Sequence, residues 1–173
     1  MAKGMRTVVA AVVVGVGGVA GHAATILDRS VELQIVGASM IEREHLEVAL
    51  EDPGDVAAWG RFRIPLNDNV ELVECSAEVL AKDGRVVARV PRRNFEREES
   101  AGSGLFTSAW NQIIPFRKLE VGQRLRIATQ LRHRLPYRAT SVSLQLGTPQ
   151  RRLQVQVLSG EEPLVWRLHG SES

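Results

Sequence analysis

The sequence predicts an all-β fold, an antiparallel β-sandwich or open barrel that follows a cleaved N-terminal signal peptide. Three observations carry this reading. Apolar residues recur at every second position through most of the chain, turn-forming residues interrupt those runs at short intervals, and the opening two dozen residues differ in composition from all that follows. Period-two alternation gives a strand one buried and one wet face.

The opening runs Met1-Ala-Lys3-Gly-Met-Arg6, then an apolar stretch from Val8 to Val14, then Gly15, Gly17, Gly18, Ala20, Gly21, Ala23 and Ala24. A cationic start, an apolar middle and a small-residue end are the order of a secretory signal. Even extended to Ala20 the apolar run covers about thirteen residues, against the roughly twenty that a helix needs to cross a bilayer, so no stable membrane anchor is expected. Cleavage fits after Ala23 or after Ala20, and with no cysteine near either site a lipid-modified terminus is excluded. The expected division is a signal peptide over 1–23 and a single β-sandwich domain over 24–173, exported to the periplasm or exterior of a bacterium. The same glycines also match the Gly-x-Gly-x-x-Ala turn of a dinucleotide-binding enzyme, with Val31 to Val36 as the second strand. That strand ends without the acid which would hold the ribose, and no alternation of strands and helices follows.

Charge divides along the same line. Of 22 basic and 20 acidic residues, Lys3 and Arg6 lie in the signal and no acid does, which leaves 20 of each in the remainder. A formally neutral mature domain excludes the broad basic footprint of a nucleic-acid binder. Cys75 is the only cysteine, so no internal disulfide can form.

Within the domain, Val31, Leu33 and Ile35 alternate with Ser30, Glu32 and Gln34. Ser39-x-x-Glu42 would suit a helix cap over Met40 to Leu50, yet His45, Glu47, Val48 and Leu50 also fit a strand, and the strand is preferred. Phe62, Ile64 and Leu66 alternate with arginines; Val73, Cys75, Ala77 and Val79 form the inward face of a long strand. Leu125, Ile127, Thr129 and Leu131 define another, then Val142 to Leu146, Leu153 to Val157 and Leu164 to Leu168. Turns are expected at Asp52-Pro53-Gly54-Asp55, Asn67-Asp68-Asn69, Asp83-Gly84, Val121-Gly122 and Gly147-Thr148-Pro149. Asp83-Gly84 reads as a hairpin, since glycine tolerates positive φ. Glu96 to Gly104, rich in Glu, Ser and Gly, reads as a mobile surface loop.

Chemistry is sparse. Nucleophilic catalysis would need Cys75 beside His45 or His133, as in a hydrolase or transferase, but a thiol on an inward strand face is inert. No catalytic residue is assigned. His45, His133 and His169 lack metal-type spacing, so neither metal nor cofactor is expected. Arg124, Arg126, Arg132 and Arg134 share one face of one strand and could grip carboxylates or phosphates; acids such as Glu71, Glu74 and Glu78 could equally pair with them across strands. Trp59, Trp110 and Trp166 default to packing, with Trp110 as an additional contact candidate.

Ala77-Glu-Val79-Leu-Ala-Lys-Asp83-Gly84-Arg-Val86, followed by Ile114-Pro115-Phe-Arg-Lys-Leu119-Glu-Val121-Gly122, resembles the family of unknown function that usually precedes a transglutaminase-like domain in exported bacterial proteins. The resemblance extends in order and rhythm over most of residues 26 to 168. It departs at Gln123 and Arg126, where the family often carries acids. It implies a β-sandwich accessory module whose companion domain holds the catalytic Cys, His and Asp, so Cys75 is not that nucleophile. With the sequence ending at Ser173, the expectation is a non-enzymatic module that contacts a protein or peptide partner in the cell envelope, including a separately encoded transglutaminase-like protein.

Overall fold

The computed structural model describes residues 6–10, 24–99, 109–134 and 150–159, with side chains for all but 6–10 and 159. The elements are β1 (Arg6–Ala10), β2 (Thr25–Val36), β3 (Ser39–Ala49), α1 (Pro53–Trp59), β4 (Arg61–Asn67), β5 (Val70–Leu80) and β6 (Val86–Arg89). A 3₁₀ turn (Arg92–Asn94), β7 (Glu96–Glu99), β8 (Ala109–Pro115), β9 (Arg124–Arg134) and β10 (Leu153–Ser159) follow. The all-β class is as the alternation predicts. All strands join one 10-stranded sheet in the order β1-β10-β2-β3-β9-β5-β4-β8-β7, with β6 paired to β5 beside that path.

The sheet is mixed, which corrects the purely antiparallel expectation: β10 runs parallel to β2, Leu153 opposite Arg29 through Leu158 opposite Gln34. One side of β2 is taken by its hairpin partner β3. The chain reaches the other side only after passing through β9, and a parallel neighbour needs such a crossover. The β2–β3 hairpin closes on Gly37, whose φ of 59° only glycine adopts freely. Strand pairing then runs unbroken from Ser39 to Ala49 against β9, so Ser39 starts a strand and caps no helix.

Short-range polar chemistry explains the turns. Asn67 Oδ1 accepts from Asn69 N at 2.8 Å, and Asp83 Oδ1 accepts from Arg85 N at 3.0 Å beside Gly84 at φ 88°. At Asp52 the expected turn is instead the start of α1. Asp55 N donates to Asp52 Oδ1 at 2.9 Å, while Asp55 Oδ2 accepts from Asp52 N at 3.0 Å and from Glu51 N at 2.7 Å. This is a capping box with Pro53 in the first turn, where its missing N–H is harmless.

β7 likewise replaces the first part of the expected loop. Its four residues pair with β8, and Glu96 and Glu98 reach Arg61 at 2.9 and 3.6 Å across it. Residues 100–104 of that loop lie outside the described residues. So do the strands expected at Val142 to Leu146 and Leu164 to Leu168, the turn at Gly147 to Pro149, Trp166, His169, and the glycine motif from Gly15 to Ala20.

β4 and β5 share a single register pair, Asn67 with Val70. The sheet turns over at this corner, and its two halves face each other across one core. Ile64, Leu66, Ile114 and Phe116 come from the β4–β8 half; Leu46, Val48, Leu72, Ala77, Val79, Leu125, Ile127 and Leu131 come from the other. Trp59 and Phe62 stack beside this core with centroids 6.0 Å apart. A bulge in β5 between Leu72 and Glu74 takes up one extra residue, so Leu72 shares a face with Cys75, Ala77 and Val79. That corrects the expected alternation at Val73, which leaves the inward row.

Candidate functional site

Register, rather than any motif, assembles the most distinctive surface. On the side of the sheet facing away from the core, Ser30 lies opposite His45, His45 opposite Ala128, and Ala128 opposite Ser76. This row crosses β2, β3, β9 and β5, a span of about 14 Å at ordinary strand spacing. Its neighbours on one flank are Asp28, Glu47, Arg126 and Glu78, and on the other Glu32, Arg43, Gln130 and Glu74. The second flank forms one wall of a cleft of about 650 Å³ whose floor is this row, and Val73, Cys75 and Arg92 line it at the β5 end.

The walls are braced. Arg43 Nη1 donates to Glu32 at 2.5 Å and to Gln34 at 3.2 Å, and its Nε donates to Gln130 at 3.3 Å. At the β5 end, Arg92 donates to the carbonyls of Leu72 at 2.9 Å and Val73 at 3.1 Å, covering polar groups that the bulge takes out of the ladder. Among the described residues the side chains of Ser30, His45 and Ser76 make no hydrogen bond, so the floor presents two hydroxyls and an imidazole to whatever enters.

The four arginines singled out from sequence lie on this same face, along alternate positions of β9. Arg124 pairs with Glu47 at 3.2 Å; Arg126 reaches Glu47 at 3.5 Å and Glu78 at 3.6 Å; Arg132 reaches Glu71 at 3.4 Å. Arg134 makes no ion pair among the described residues. Of these only Arg132 with Glu71 is an exposed pair, the kind that contributes roughly 0–1 kcal/mol, so there a partner's carboxylate could replace the acid at little cost. Trp110 sits elsewhere. It is on β8, separated from β9 by β5 and β4, half-buried with the Arg97 guanidinium 4.4 Å from its ring centroid. The structure therefore keeps the arginines on one face, in two pairs near opposite ends of β9, and leaves Trp110 apart.

Cys75 lines the cleft together with His45 but makes no hydrogen bond to it. Cys75 is in register with Thr129 on the core-facing row, whereas His45 is on the outward row. His133 lies four residues further along β9, roughly 13 Å away at strand rise, with Nε2 at 2.8 Å from Glu42 Oε2. Burial pushes the Cys75 thiol up to about 11, a shift that the nearby Arg92 charge only partly opposes. At pH 8 only about one thiol in a thousand is then the reactive thiolate. Alkylation by iodoacetamide should accordingly be slow at pH 8 and rise about tenfold per pH unit toward pH 11. A rate that levels off below pH 9 would disprove the shift.

Among the described residues no group of three or more His, Cys, Asp and Glu side chains is placed to hold a metal ion, and no helix is long and apolar enough to cross a membrane. Val31 to Val36 lies in β2 between β10 and β3. The row Ser30, His45, Ala128 and Ser76 was not visible in sequence. The alternation put Ser30 on a wet face and did not single out Ala128 or Ser76, and only register sets the four side by side.

No protein-family model matches the chain, and no curated protein matches it. Among solved structures it is similar to a putative protease from Parabacteroides distasonis ATCC 8503, with a TM-score of 0.69 at 19% sequence identity. The match covers 80% of this chain and 29% of that one, so the likeness is one of fold and the chain spans under a third of the longer protein.

Proposed function

We propose that this chain is an exported, non-enzymatic accessory module that docks a protein or peptide partner in the bacterial cell envelope, and that the β2–β3–β9–β5 face receives it. The observation that carries this is the cleft: a row of Ser30, His45, Ala128 and Ser76 bordered by the Arg43–Glu32 ion pair on the outward side of a sheet whose other side is already packed. A solvated face with no partner has no need of such a gap, since long side chains at Ser30, Ala128 or Ser76 would close it. A binding role, as against a catalytic one, is favoured because Cys75 makes no hydrogen bond to either described histidine and burial pushes its thiol up to about 11.

Two further observations support an accessory role. The same fold forms 29% of a longer chain described as a putative protease, an arrangement suited to a module that works beside another domain. The residues from Ala77 to Val86 and from Ile114 to Gly122 resemble the family that accompanies transglutaminase-like domains. A separately encoded transglutaminase-like protein is therefore the first partner to test.

The test is site-specific photocrosslinking in the envelope fraction. A crosslinker at Ser76 should trap one reproducible partner, and one at Glu98 on the far half of the sheet should not. Ala128→Arg, which fills the cleft from its floor, should cut the Ser76 adduct at least about tenfold while the thermal midpoint moves by no more than a few degrees, the ordinary range for surface substitutions. An adduct that survives Ala128→Arg, or no adduct at all, would remove the basis for this assignment.

A further inference from the structure

The two ends of the sheet are treated differently. Among the described residues β7 is the last strand at one end; it is four residues long and reads Glu-Arg-Glu-Glu, a charged edge that discourages further pairing. At the other end the last described strand is β1, Arg-Thr-Val-Val-Ala, seated antiparallel on β10 with Arg6 opposite Ser159 and Ala10 opposite Val155. β1 falls inside residues 1–23, the segment with the composition of a signal peptide. Once that segment is removed, β10 becomes the edge. Its seven residues, Leu-Gln-Val-Gln-Val-Leu-Ser, include no charge and no proline, so it has none of the guards that β7 carries.

We infer that the β10 edge of the mature protein accepts an extended segment of the partner as an additional antiparallel strand, in the place that β1 occupies in the precursor. This rests on the export reading proposed above and deepens it. The main chain would supply the affinity, and the alternate positions the selectivity. The segment seated there in the precursor, Arg-Thr-Val-Val-Ala, is rich in β-branched and small apolar residues, with position 8 opposite Val157 and position 10 opposite Val155. These two β10 residues are in register with Leu33 and Val31 of β2.

The geometry also joins this edge to the cleft. Gln154 lies opposite Ser30 and Gln156 opposite Glu32, so the cleft's row and its flank continue onto β10. A strand added there extends the same outward face by one position. One partner segment can then pair with β10 through its backbone while a neighbouring part of the partner reaches the Ser30–His45 floor.

The experiment starts from the full chain expressed with export and purified from the envelope fraction. Intact mass should show loss of residues 1–23 or 1–20. The probe is a fluorescein-labelled peptide of residues 4–12, whose binding to the mature protein is read by anisotropy. Two N-methylated versions follow, one methylated at Thr7 and Val9 and one at Val8 and Ala10. In an antiparallel pair alternate N–H groups face the partner strand, so one version should lose binding by roughly tenfold or more, at about 1 kcal/mol per hydrogen bond, and the other should bind within about threefold of the parent. Retention of Met1 to Ala20 in the purified protein overturns both the export reading and this inference. Cleavage together with no peptide binding, or with equal binding by both methylated versions, overturns the β10 assignment alone. A mature protein that is dimeric and photocrosslinks to its own copy from Gln156 also overturns it, since a second copy then fills the edge.

Discussion

Leu125→Ala should destabilise the protein by about 3–5 kcal/mol, within the range for a buried leucine truncated where the surroundings cannot collapse. For a domain of this size that lowers the thermal midpoint by roughly 10 °C. Leu125 is 0% exposed. It stands in the middle of the β3–β9–β5 layer, between Val48 and Val79 in register, and belongs to the same core as Ile64, Ile114 and Phe116 of the opposing half. Two flanking strands and a facing layer fix the walls of the cavity, so relaxation is limited. Val87→Ala, on the outlying strand β6 at 44% exposure, is the matched control and should cost under about 0.5 kcal/mol. Urea denaturation of both variants checks the contrast. If Leu125→Ala cost less than 1 kcal/mol, the two halves of the sheet would not share one core at this position.

What the sequence disclosed was set by whether the deciding interaction is local. β9 and β4 alternate without interruption, and their faces follow directly from parity. β5 carries a bulge at Val73 that no composition signals, so its parity reverses part-way and Val73 is misplaced. Asp52-Pro53-Gly54-Asp55 has the chemistry of a tight turn and of a helix cap at once. Only the reciprocal bonds between Asp52 and Asp55 decide for the helix. Glu96 to Glu99 has the composition of a loop, and its strand is fixed by non-local pairs with Arg61 and Arg63. The parallel β2–β10 pair is equally non-local.

The candidate site divides the same way. The arginine row of β9 follows from period two along one strand. The cleft depends on Ser30, His45, Ala128 and Ser76 from four strands sharing one row, and register between strands distant in sequence is not written in any of them singly. The arginines' partners depend on it too: Glu47 and Glu78 flank Arg126 from opposite neighbours.

A second large effect is expected where a charge points inward. The bulge in β2 between Ile26 and Asp28 brings Arg29 onto the same side as Ile26 and Val31, and the residue is 2% exposed. Its Nε donates to Glu44 Oε1 at 2.6 Å, with Leu46 and Leu153 as its neighbours in register. Glu44→Leu removes the carboxylate and leaves the guanidinium in an apolar setting, a change that costs about 3–5 kcal/mol when both charges are deeply buried. Here the lower end applies, because the Glu44 side chain is 19% exposed and Arg29 keeps contacts other than Glu44. Arg29→Met with Glu44→Leu removes both charges and fills the same volume. That double variant should recover to within about 1 kcal/mol of the natural protein or exceed it, since replacing a buried pair by packed apolar groups is often neutral or better. The single variant's deficit should also persist in 1 M salt, where the Debye length is about 3 Å and exposed pairs such as Arg132 with Glu71 are screened. Urea melts of the natural protein, the single and the double variant decide it. A double variant no more stable than Glu44→Leu alone would mean that Arg29 owes its place to something other than this carboxylate.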